Sequence, residues 1–122
     1  MKNRITFTCF CSLVCTFATF AEPTTIQTSP LTKEVVPFRV DSGTLQNTSK
    51  KTKTLFRHLV LADGADSLQI QFGRTKLPTG TMLRMTSLLD GAVQHHRAET
   101  FKQWRSKSAW FNGSMVIVEL VA

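Results

Sequence analysis

Beyond Cys15 the chain has no cysteine; Cys9, Cys11 and Cys15 are its three thiols. The long region that follows therefore has no disulfide staple, no cysteine-ligated zinc and no cysteine nucleophile. Its stability has to come from apolar burial. No G-x-S-x-G elbow occurs, and Gly113-Ser114 opens an apolar run rather than a strained turn, so the usual setting of a serine nucleophile is missing. Acidic residues number only eight, with Asp63 and Asp90 beside turn glycines; a paired-carboxylate site has little material to draw on. There is no internal repeat and no recognisable nucleic-acid-reading module.

What is present starts with an export pattern. Lys2 and Arg4 precede an apolar stretch over residues 5–21, interrupted by Thr6, Thr8, Ser12, Thr16 and Thr19. It falls short of the roughly 20 strongly apolar residues that cross a bilayer. A charged start, a short apolar run and small residues at Thr19 and Ala21 read as a secretory signal peptide cleaved after Ala21, with Ala18 as a second position. The expected location is secreted or periplasmic, with membrane contact only during export. All three cysteines leave with the leader. The part that remains buries roughly 65% of its unfolded surface, which suffices for one independent domain. The whole chain carries a net charge of +7, and the leader removes only Lys2 and Arg4. Such a surface attracts anionic partners without naming one.

Residues 22–34 are rich in Pro, Thr and Ser without apolar periodicity and read as a flexible lead-in. The expected domain spans residues 35–122. Val36, Phe38 and Val40 alternate with Pro37 and Arg39, which predicts a short edge strand because Pro37 cannot donate to a ladder. A polar loop with Lys50, Lys51 and Lys53 follows. From Leu55 onward short apolar runs alternate with turn signals, as in an all-β sandwich or barrel. Leu68, Ile70 and Phe72 alternate with Ser67, Gln69 and Gln71, predicting one buried and one wet face. Leu77-Pro78-Thr79-Gly80 reads as a turn.

Asp90-Gly91 predicts a tight two-residue hairpin. That register pairs Leu89 with Ala92, Ser87 with Gln94, Met85 with His96 and Leu83 with Ala98. Around Phe101 and Trp104 the period changes, and a single helical turn is expected. Asn112-Gly113 is a second strong turn. Residues 114–122 are apolar on both faces apart from Glu119, as a central strand requires. The predicted fold class is all-β, a small antiparallel, jelly-roll-like sandwich.

No catalytic residue, metal ligand or cofactor site is assigned. His95 and His96 are adjacent, and on a strand adjacent side chains point to opposite faces, so the pair does not converge on one ion. Trp104, Trp110 and Phe111 are candidates for a stacking platform for sugar rings, against the alternative that they plug the core. Exposure decides between the two. The candidate anion-binding residues are Lys50, Lys51 and Lys53, grouped with Arg57, and Arg97, Lys102 and Arg105, grouped with Lys107. Nucleic acid is not expected as a partner; an anionic polysaccharide, a lipid head group or a neighbouring acidic domain suits these cations better, and a merely solvated surface accounts for them best. Asn47-Thr48-Ser49 and Asn112-Gly113-Ser114 match the N-glycosylation triplet. Nothing in the residues addresses oligomeric state.

The order of motifs adds one likeness. Leu68 to Phe72, the turn at Leu77 to Gly80, the run Met82 to Gly91, Trp104, Ala109 to Gly113 and Val116 to Leu120 together resemble a known module. It is the non-catalytic β-sandwich region that precedes the protease domain in secreted bacterial trypsin-like serine proteases of the lysyl-endopeptidase type. The likeness covers roughly residues 55–122. The "S-A-G-H-C" and "G-D-S-G-G" segments of the protease domain do not occur. The resemblance thus implies a secreted accessory or pro-region-like module, a former or partial protease leader whose partner would be a protease domain, and no proteolysis.

Overall fold

The computed structural model describes residues 32–122, and its larger compact unit runs from Val36 to Ala122. The expected signal peptide, and the lead-in up to residue 31, lie outside the described residues. Strand β1 is Thr54–Leu61, β2 Ser67–Leu68, β3 Met82–Ser87 and β4 Val93–His96. Helix α1, Ala98–Gln103, is followed by β5, Phe111–Asn112, and β6, Met115–Val121. Four strands form an antiparallel sheet in the order β1-β6-β3-β4, and β2 pairs with β5 in a second, two-stranded sheet. The all-β expectation and the short helix around Phe101 both hold.

The last strand occupies a central place, as its two-sided apolarity requires. Val116 and Val118 are buried on the inner face, next to Ser87 and Met85 of β3 and to Val60 and His58 of β1. They join Leu83, Met85, Leu68, Phe101 and Phe111 in one core cluster that draws on both sheets and the helix. Each such side chain contributes about 1.5–3 kcal/mol through burial. Leu77, Ile70 and Phe72 close its margin. The turn at Gly80 has φ 86°, with Thr81 N–H donating to Pro78 O at 3.1 Å, the positive φ that glycine supplies at the third position of a type II turn.

Three expectations are corrected. Residues 36–40 form no strand: Val36, Phe38 and Val40 are exposed, and the segment has no ladder partner among the described residues. An alternating apolar pattern does not itself supply a ladder partner, and here the Phe38 ring lies 5.5 Å from the ring of His58.

The β3–β4 hairpin closes two residues further out than a tight Asp-Gly turn allows. Leu83 pairs with His96, Met85 with Gln94 and Thr86 with Val93. The loop is Leu88-Leu89-Asp90-Gly91, closed by Gly91 N–H to Ser87 O at 3.1 Å and by Ala92 N–H to Asp90 Oδ1 at 3.0 Å. Ser87 Oγ accepts from Leu89 N–H and donates to Asn112 O. These bonds reward the wider loop. A slip of two residues preserves parity, so the faces are as expected even though the partners change.

The 67–72 run keeps its alternation but not a regular strand. Ser67 and Leu68 pair with Asn112 and Phe111, yet Gln71 bridges Lys107. Between those points Gln69 and Ile70 face Ser108, Ala109 and Trp110, one residue more, which is a β-bulge. Ser108 stabilises it: its buried Oγ accepts from Ile70 N–H at 2.8 Å and donates to Ala109 O at 2.6 Å.

Candidate functional site

The surface around α1 and the bulge collects most of the sequence-predicted residues. Arg97 N–H donates to Thr100 Oγ1 at 2.8 Å, fixing the helix start. Phe101 is the helix's inward anchor, against Phe72 and His96 at ring distances of 5.6 and 5.9 Å. Lys102, Trp104 and Arg105 are thereby left on the solvent side. The helix ends in a Schellman motif: Ser106 N–H donates to Phe101 O and Arg105 N–H to Lys102 O, each at 2.9 Å. Arg105 and Ser106 both take left-handed φ, 52° and 59°. The turn is held by Gln71, whose Nε2 donates to Ser106 O at 3.0 Å, and by Phe72 N–H to the same oxygen.

Trp104 is 45% and Trp110 52% exposed, whereas Phe111 is 3% exposed. Phe111 is therefore a core plug and leaves the candidate platform, because a strand residue facing inward cannot also face a ligand. Trp104 borders β4, and Trp110 follows a residue bonded to it. The Trp104 ring lies 5.8 Å from the His96 ring, and Ala109, just before Trp110, donates its N–H to Gln94 Oε1 at 2.7 Å. Gln94 and His96 are two residues apart on that strand, roughly 7 Å.

His96 itself is fully buried, with Nε2 2.9 Å from Lys107 O. A carbonyl only accepts, so Nε2 holds the proton. Nδ1 has no partner among the described residues, a deficit of about 1–3 kcal/mol. His95, on the other face, is exposed; the two histidines diverge as expected. Among the described residues no three histidine, acidic or cysteine side chains come together.

The two basic groups, separate in sequence, flank the same end of the four-stranded sheet without meeting. Lys53 pairs with Ala122 through reciprocal backbone bonds at the end of β6, and Arg97 extends β4 past His96 at the same level. They stand on opposite edges, about 14 Å apart across three strand spacings. Lys50 and Lys51 sit in an exposed loop anchored by Asn47, whose Nδ2 donates to Lys51 O at 2.9 Å and to Ala122 O at 2.7 Å. The amide of the first glycosylation triplet is thus occupied in the fold.

One charged row escaped the sequence reading. On the outer face, Glu119 lies between Arg57 and Arg84 of the flanking strands, with N–O distances of 3.7 and 2.7 Å. The available signal was Glu119 as the lone charge in an apolar strand. Comparison of the chain with known proteins finds no matching family model, no similar curated protein and no similar solved structure.

Proposed function

We propose that the chain is a secreted, non-catalytic accessory module that attaches to an anionic surface polysaccharide through the α1 end of the domain. The observation that carries this reading is the half-exposure of Trp104 and Trp110 in a segment, residues 97–110, that also exposes Arg97, Lys102, Arg105 and Lys107. Flat aromatic faces stack on sugar rings, and cations supply the long-range attraction to a polyanion. In this reading the two sheets form the layers of a small sandwich, Leu68 and Phe111 on one side and Met85, Val116 and Val118 on the other.

The test is retention on immobilised acidic polysaccharide. Wild type is expected to bind, with weaker retention at raised salt, and Trp104→Ala and Trp110→Ala to bind less. Failure of wild type to bind, or equal binding by both variants, overturns the reading. The second reading, a pro-region-like leader that assists or shields a serine protease domain, rests on the motif order between Leu68 and Leu120. It predicts that the chain raises the refolding yield of such a protease, and no gain in yield would dismiss it.

A further inference from the structure

The two edges of the four-stranded sheet are unequal. At one edge β4 is four residues long and runs directly into α1. At the other, β1 is eight residues long, without proline, and has only β6 as a ladder partner among the described residues. Ala62 N–H donates to Ser114 O at 2.8 Å, and the same register runs from Leu61–Met115 to Phe56–Leu120. Hydrogen-bonded and non-hydrogen-bonded pairs alternate along an antiparallel ladder. It follows that Val60, His58 and Phe56 bond inward to β6. The backbone N–H and C=O groups of Arg57, Leu59 and Leu61 point outward, and none has a backbone partner among the described residues. Such an edge is a template for another strand.

We infer that this edge pairs with the β1 edge of a second copy of the chain, antiparallel about a two-fold axis at Leu59. In that register Leu59 meets its counterpart, and Arg57 meets the partner's Leu61, giving about six backbone hydrogen bonds. The side chains agree with it. Leu59 and Leu61 are 44% and 50% exposed on the outer face, and the pairing continues the uncharged row of Val93, Thr86, Ile117 and Leu59 into the second copy. The two Arg57 side chains start roughly 14 Å apart, beyond the screening length of about 8 Å at physiological salt, and each keeps its own Glu119 at 3.7 Å.

An isologous contact of this kind closes at two copies. The β4 edge offers only Val93 and His95 for further growth, by the same alternation. Edge pairing buries less than the roughly 800 Å² per partner of a standard interface, so the dimer is weak. The net charge of +7 opposes it, and added salt strengthens it.

The experiment is sedimentation velocity on the whole chain over a concentration series at two ionic strengths, with amide hydrogen exchange on the same samples. A monomer–dimer equilibrium favoured by salt is expected, together with protection of the Arg57, Leu59 and Leu61 amides that grows with concentration. Leu59→Lys and Leu61→Lys should each abolish the dimer while keeping the melting temperature measured in dilute solution, and Val93→Lys should leave the dimer intact. A monomer throughout, open-ended oligomers, concentration-independent exchange at these amides, or equal loss on Val93→Lys overturns the inference. The exchange measurement needs no variant and decides the matter even where a lysine variant does not fold.

Discussion

Arg84 Nε donates to Glu119 Oε2 at 2.7 Å across the β3–β6 pair, while Arg57 approaches the other carboxylate oxygen from β1. The Glu119 side chain is 12% exposed, against 37% for Arg84 and 65% for Arg57, so solvent screens the arginine side of the contact. The hydrogen bond from Arg84, then the charges of Arg84 and Arg57, hold the Glu119 carboxyl below its ordinary value of 4.5 despite the opposing effect of burial.

A lowered folded-state pKa stabilises the fold above the unfolded-state value, and that stability is lost as pH falls through the folded-state pKa. Urea melts between pH 7 and pH 3 should show the loss beginning near pH 4.5. Glu119→Gln should cost roughly 1 kcal/mol at neutral pH and flatten the acid limb. An unchanged acid limb in the variant would remove Glu119 from the account.

Gly113 has φ 85°, and a methyl group there would stand 2.8 Å from Leu89 Cβ and 3.1 Å from its Cδ2. Strain and collision act together. Gly113→Ala should cost about 1–3 kcal/mol in chemical denaturation. Adding Leu89→Ala should not restore it, because the nearest atom, Cβ, remains. Full rescue by Leu89→Ala would place the collision further out on the side chain.

Arg105 sits at the left-handed position that follows the α1 C-cap, where glycine is the usual residue. Arg105→Gly should raise stability by roughly 0.5–1 kcal/mol, since the left-handed cost disappears. The same change should weaken retention on acidic polysaccharide. Stability and binding moving in opposite directions is a result that partial unfolding cannot produce. A melting temperature lowered by the substitution would contradict the strain argument.

Elements whose own residues settle their surroundings were legible early. β6 had to be central because both of its faces are apolar, and the Leu68, Ile70 and Phe72 alternation correctly separates inside from outside. The hairpin register was misread because Asp90 and Gly91 also suit a longer loop. The bonds that select it come from Ser87 and Asn112, and Asn112 lies 22 positions from Asp90. The predicted strand at Val36, Phe38 and Val40 failed because a pattern of apolar residues does not supply a ladder partner.

The candidate platform divides in the same way. Composition alone excluded thiol chemistry after Cys15 and set the basic excess, since both depend only on which residues are present. Whether Trp104, Trp110 and Phe111 share a surface depended on which side chains the core takes in, and it takes Phe111. The placing of Lys53 and Arg97 on opposite edges of one sheet end, and the unpaired outward groups of β1, were likewise decided by strand order. Local sequence governs propensity and parity; the order in which strands assemble is a long-range choice, made where burial of Met85 and Val116 is greatest.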